Sequence, residues 1–257
     1  MPSLPESLNG RPWLAVALAF GVAIAGFALV LPVALVISIP LGVAGITLSP
    51  VMLVVVSLVS LQGIAFPLAA FGYLRLRGKS FDYVKARVPS RSDVAWGFGG
   101  FVVAFLLAMT LLVLVQLVDA PTATRTDQEM LQQPEVLLSL IPLSLLLIGP
   151  GEELLFRGVI QTTLREAFPA PAAIALASAA FAPAHIVSFA GSPIALLVSI
   201  SILFVPSLVF GYVYERTGNL VVPAFAHGAY NATLFGLVYL ALTVAPESTQ
   251  SGLLAVP

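Results

Sequence analysis

Apolar positions fall into seven long runs, roughly 12–38, 50–74, 94–118, 136–164, 171–190, 193–213 and 220–244, separated by short polar segments. A helix needs about 20 mostly apolar residues to cross the hydrocarbon of a bilayer, and each run supplies close to that length. Runs of this kind, rather than alternating segments of about ten residues, predict helices and argue against a barrel. The expected fold is an all-α polytopic transmembrane helix bundle of about seven spans. It forms a single integral membrane domain over residues 1–257. No internal repeat and no linker divides it. The fourth run is long enough to run past the bilayer or to be broken at Pro150, where a proline removes a helical N–H and clashes one turn back.

Composition agrees. Of 257 residues, 59% are hydrophobic and 9% charged, against about 25% charged in a soluble domain. The absence of cysteine removes disulfides, thiolate metal sites and cysteine nucleophiles together. A net charge of −1 carries no nucleic-acid signal. Residues 1–11 lack a basic cluster and lead directly into a run too long for a signal-peptide core, so the first run reads as a retained anchor. Six of the eleven basic residues (Arg75, Arg77, Lys79, Lys85, Arg87 and Arg91) lie in the connection 75–93. The positive-inside rule therefore places that connection and the N-terminus in the cytoplasm of a cell-membrane protein. The acidic connection 119–135 falls outside, where Thr126 and Glu129 have the spacing of a capping box before a short surface helix.

The polar residues within the runs change the picture. Gly151-Glu152-Glu153-Leu154-Leu155-Phe156-Arg157 puts three charges in an apolar run, each costing about 2.5–3.5 kcal/mol near the bilayer centre. Glu153 and Arg157 are four apart and can pair on one helical face. Glu152, about 100° round the helix, has no local counter-charge. It needs a partner on another helix, a cation or a proton. Both histidines of the chain also lie in runs, as Phe181-Ala182-Pro183-Ala184-His185 and His227-Gly228-Ala229-Tyr230-Asn231.

Taken singly, each of these groups reads as structural: an ion pair, a helix–helix hydrogen bond, interhelical glue. Jointly they point to a site formed where three helices converge. A carboxylate and an imidazole facing one water can deprotonate it for attack on a carbonyl, while an imidazole and a carboxamide suit the developing oxyanion. Equally, Glu152, His185 and His227 are good Zn²⁺ ligands with an open position for water. The zinc-protease signature His-Glu-x-x-His and the serine-nucleophile signature Gly-x-Ser-x-Gly are both absent. A proton- or ion-coupled transporter and a non-catalytic immunity or scaffold protein are the rival readings.

These motifs resemble those of the CPBP intramembrane proteases, also called the Abi or type II CAAX prenyl endopeptidase family. The family pattern is Glu-Glu-x-x-x-Arg, Phe-x-x-x-His and His-x-x-x-Asn. It is matched in order by Glu152/Glu153/Arg157, Phe181/His185 and His227/Asn231 on separate runs. The resemblance implies a membrane endopeptidase acting on a membrane-associated peptide substrate, such as a lipidated chain of the prenylated CAAX type. It implies a catalytic core at about 136–244, in which Glu152 and His185 activate water and His227 with Asn231 binds the oxyanion. Glu153, Arg157 and Phe181 would support them.

Overall fold

The structure is a computed structural model and describes residue 4 and residues 7–244; the two ends of the expected domain lie outside the described residues. Among the described residues, seven helices are long and apolar enough to cross a membrane: α1 (Pro12–Val43), α2 (Pro50–Leu76), α3 (Arg91–Leu117), α4 (Pro134–Arg165), α5 (Ala170–Ser188), α6 (Pro193–Thr217) and α7 (Val221–Val244). The protein is thus an all-α, polytopic membrane protein. In α1 to α3 only 17–22% of the most apolar window is buried in the protein, but in α4 to α7 the share is 39%. The last four helices therefore form the inside of the bundle, and the first three lay most of their side chains toward lipid.

Several helices depart from regular α geometry where prolines demand it. In α4 the backbone widens into π-helical turns over Ser144–Ile148 and Leu154–Gln161, with an α-helical piece, Gly149–Glu153, between them. Gly149 begins that piece and Pro150 is its second residue. The helix continues on both sides, however, so Glu152 has no free N-terminus to favour its ionised form. A third π segment, Val59–Ala65, precedes Pro67 in α2. Extra residues of this kind are frequent at functional sites. In α5 the α-helix ends at Phe181, and Pro183 lies in a 3₁₀ stretch, Ala182–Ser188.

Close backbone approaches set the helix positions. A Cβ on Gly149 of α4 would meet the Ala224 carbonyl oxygen and come within 2.8 Å of the Gly228 nitrogen of α7. One on Gly228 would come within 2.7 Å of the Ser144 carbonyl oxygen. Small residues thus let α4 and α7 touch along their backbones, a common device in membrane bundles.

Each end of the bundle is fastened. At one end, fully buried Arg77 donates to Glu166 Oε2 at 2.9 Å and to Tyr73 Oη at 2.7 Å. Tyr83 donates to Glu166 Oε1 at 2.6 Å. Burial, followed by the adjacent Glu166 carboxylate, pushes the Tyr83 phenol above its ordinary value. At the other end β1 (Thr124–Arg125) pairs antiparallel with β2 (Phe189–Ala190). A one-turn helix, Gln128–Leu131, follows β1. The Thr126 N–H donates to the Ser188 carbonyl and its hydroxyl to that of Val187.

Candidate active site

The site is built on the α-helical piece between the two π segments of α4. Glu152 and Glu153 leave it in adjacent directions, and both are buried, Glu153 completely. The expected Glu153–Arg157 pair forms: Arg157 Nε donates to Glu153 Oε2 at 3.1 Å, with both side chains fully buried. It is not self-contained. Glu153 Oε1 lies 2.9 Å from His227 Nδ1 of α7, so one carboxylate joins Arg157 to the imidazole. The remaining Arg157 donors reach α5 and α6, through Ser178 Oγ at 3.5 Å and Ser207 Oγ at 2.7 Å. Four helices are tied to one guanidinium–carboxylate pair.

Glu152 finds its partners on other helices. Gln62 of α2 donates from Nε2 to Glu152 Oε1 at 3.1 Å. Glu152 Oε2 faces His227 Nε2 at 3.7 Å. An ionised Glu153 accepts from His227 Nδ1–H, which fixes the ring and leaves Nε2 directed at Glu152. Phe210 stacks on the same imidazole with centroids 4.8 Å apart and planes at 16°.

Phe181 connects the second histidine to this cluster. Its ring lies 4.8 Å from the His185 centroid and 5.7 Å from that of His227. Arg157 Cζ stands 5.8 Å from it. His185 is half-buried, with Nδ1 3.2 Å from the Phe181 carbonyl oxygen, and among the described residues it bonds to neither glutamate. Asn231 sits one turn beyond His227 on α7, half-buried, and its carboxamide has no hydrogen-bond partner among the described residues.

A catalytic zinc takes three protein ligands and a water. Glu152 and His227 face each other, but among the described residues no three His, Asp or Glu side chains are grouped to hold one ion. Glu152, His185 and His227 therefore do not fit that group as they stand here.

Sequence reasoning did not find Gln62, Ser178 or Ser207. Each is a neutral polar residue within an apolar run. Gln62 lies in α2, which carries no charged motif. The only available signal was an amide in the middle of a span.

The family model for Rce1-like type II CAAX prenyl endopeptidases matches residues 134–233. No curated protein and no solved structure matches the chain. The matched segment runs from the start of α4 through Asn231 and so includes Glu152, Glu153, Arg157, Phe181, His185, His227 and Asn231. The stretch that carries the glutamates, both histidines and Asn231 is thus similar to the Rce1-like type II CAAX prenyl endopeptidases.

Proposed function

We propose that the protein is an intramembrane endopeptidase that hydrolyses a peptide bond near the C-terminus of a membrane-associated substrate of the prenylated CAAX type. The observation that carries this reading is the buried pair formed by Glu152 Oε2 and His227 Nε2. Their 3.7 Å separation lets one water lie about 2.8 Å from both.

Glu152 takes a proton from that water, and the water oxygen attacks the scissile carbonyl carbon. The carbonyl π pair moves onto oxygen. His227 Nε2–H and the Asn231 carboxamide are the donors for this oxyanion. Collapse of the tetrahedral intermediate breaks the C–N bond, and the amine leaves with the proton held by Glu152. His185, half-buried on the Phe181 ring, completes the water-activating pair with Glu152 once substrate is bound. Glu153 and Arg157 orient His227 and balance its charge.

The test is cleavage of a farnesylated peptide ending in a CAAX sequence by the full chain in lipid nanodiscs, followed by mass spectrometry. Glu152→Gln should reduce turnover by about 10²–10⁴-fold, the usual scale for a general base, with the unfolding midpoint retained. Wild-type turnover by this variant would sink the proposal. Metal content and chelator sensitivity measured on the same preparation decide whether Zn²⁺ takes part. A transporter would instead show Glu152-dependent flux in liposomes.

A further inference from the structure

Gln62 lies in α2, outside the matched segment 134–233, yet it makes the direct hydrogen bond to Glu152. It is 5% exposed. Its Nε2 donates to Glu152 Oε1 at 3.1 Å, whereas its own Oε1 has no partner among the described residues. Burying an amide oxygen without a hydrogen-bond partner is unfavourable. A residue serving only to join α2 to α4 would be expected to satisfy both ends.

Local backbone structure is shaped to bring this amide in. Gln62 is in the π segment Val59–Ala65. Gly151, the residue before Glu152, packs directly on it: a Cβ there would lie 2.5 Å from the Gln62 carbonyl oxygen and 2.7 Å from its Cβ. Any larger residue at 151 would push α2 and its amide away from the carboxylate. Beside this contact a cavity of about 220 Å³ opens between α2 and α4, lined by Gln62, Pro67, Pro150 and Gly151.

The consequence is geometric. A carboxylate held only by its own side-chain torsions can turn either oxygen toward His227. With Oε1 held by Gln62, Oε2 faces Nε2 of the imidazole. We propose that Gln62 is a positioning residue for Glu152, holding one carboxylate oxygen so that the other addresses the water in front of His227. This rests on the hydrolytic reading above.

Two measurements on the full chain in nanodiscs test it. In the farnesylated-peptide assay, Gln62→Leu should lower kcat about 10–100-fold, the scale of a misplaced catalytic group, and change KM by less than about threefold. In a Glu152→Gln background it should cause no further loss, because groups acting as a unit are not additive. Should the Leu variant fail to fold, Gln62→Met preserves the length without the donor. A wild-type kcat in either variant, with activity still dependent on Glu152, overturns the role of Gln62 and leaves the protease reading intact. The second measurement needs no turnover. Gln62→Leu should lower the unfolding midpoint in the wild-type background but not in Glu152→Leu. Additive losses would mean the contact is absent and would overturn the proposal even if the chain cleaves nothing. If no peptide is cleaved but the losses are coupled, the protease reading fails and the positioning contact stands.

Discussion

His227 and Glu153 are joined across α7 and α4 by a 2.9 Å contact between Nδ1 and Oε1. The same carboxylate accepts from Arg157 through its other oxygen. Glu153 therefore has two obligations, and removing it leaves a buried guanidinium and an imidazole without their acceptor. Glu153→Ala should destabilise the protein by about 3–5 kcal/mol, the cost of stranding a buried charge. Glu153→Ala/Arg157→Ala should cost less than the sum of the single losses, since the guanidinium is no longer stranded and only the His227 imidazole still lacks its acceptor. Chemical unfolding in detergent micelles measures both.

Asn231 should behave in the opposite way. Its carboxamide has no fold partner among the described residues, so Asn231→Ala should leave the unfolding midpoint within about 0.5 kcal/mol of wild type. If it is the oxyanion donor of the proposed hydrolysis, the same substitution should cost about 10²–10³ in kcat. A large stability loss with normal turnover would assign Asn231 to the scaffold instead. Steady-state kinetics alongside thermal unfolding separates the two.

The contact of Gly149 with Gly228 admits no methyl group. Gly228→Ala places a Cβ against the Ser144 carbonyl oxygen and Leu145 Cα, so it should force α4 and α7 apart and cost about 1–3 kcal/mol or more. Because His227 precedes Gly228, activity should fall more than stability alone explains. Activity measured well below the unfolding midpoint reveals that excess.

Tyr83 gives a pH signature outside the membrane spans. Its phenol is raised above the ordinary 10.0 by burial and then by the hydrogen bond to Glu166. A group raised in the folded state contributes its full stability below its unfolded value, and that contribution is lost as pH rises through the folded one. The stability advantage of wild type over Tyr83→Phe should therefore be constant below pH 10 and shrink above it. The slope is about 1.4 kcal/mol per pH unit. Unfolding midpoints of the two proteins between pH 8 and 11 check this.

Much of the arrangement was legible in the chain because lipid imposes strong rules. Seven runs near the required length gave seven spans. Three buried charges on α4 demanded partners: Glu153 and Arg157 pair with each other, and Glu152 meets Gln62 of α2 and His227 of α7. The spacing of Phe181 and His185 gave a ring contact even though Pro183 turned the segment from α to 3₁₀. What stayed hidden was carried by uncharged groups. Gln62, Ser178 and Ser207 have no periodicity that marks them, and hydropathy treats them as minor interruptions. The π turns around Gly149–Glu153 were hidden too, since Pro150 predicts a break but not that wider turns on either side would keep the helix continuous. His227 as the imidazole facing Glu152 depends on how α7 crosses α4, which no local spacing encodes.

The small antiparallel pair β1–β2 links two parts of the chain that are far apart in sequence. The 3₁₀ stretch bearing His185 runs directly into Phe189, which pairs with Arg125. The connection after α3 is therefore held against the segment that follows that imidazole. A crosslink between Arg125 and Phe189 would tie the connection after α3 to the backbone that leads out of the His185 segment.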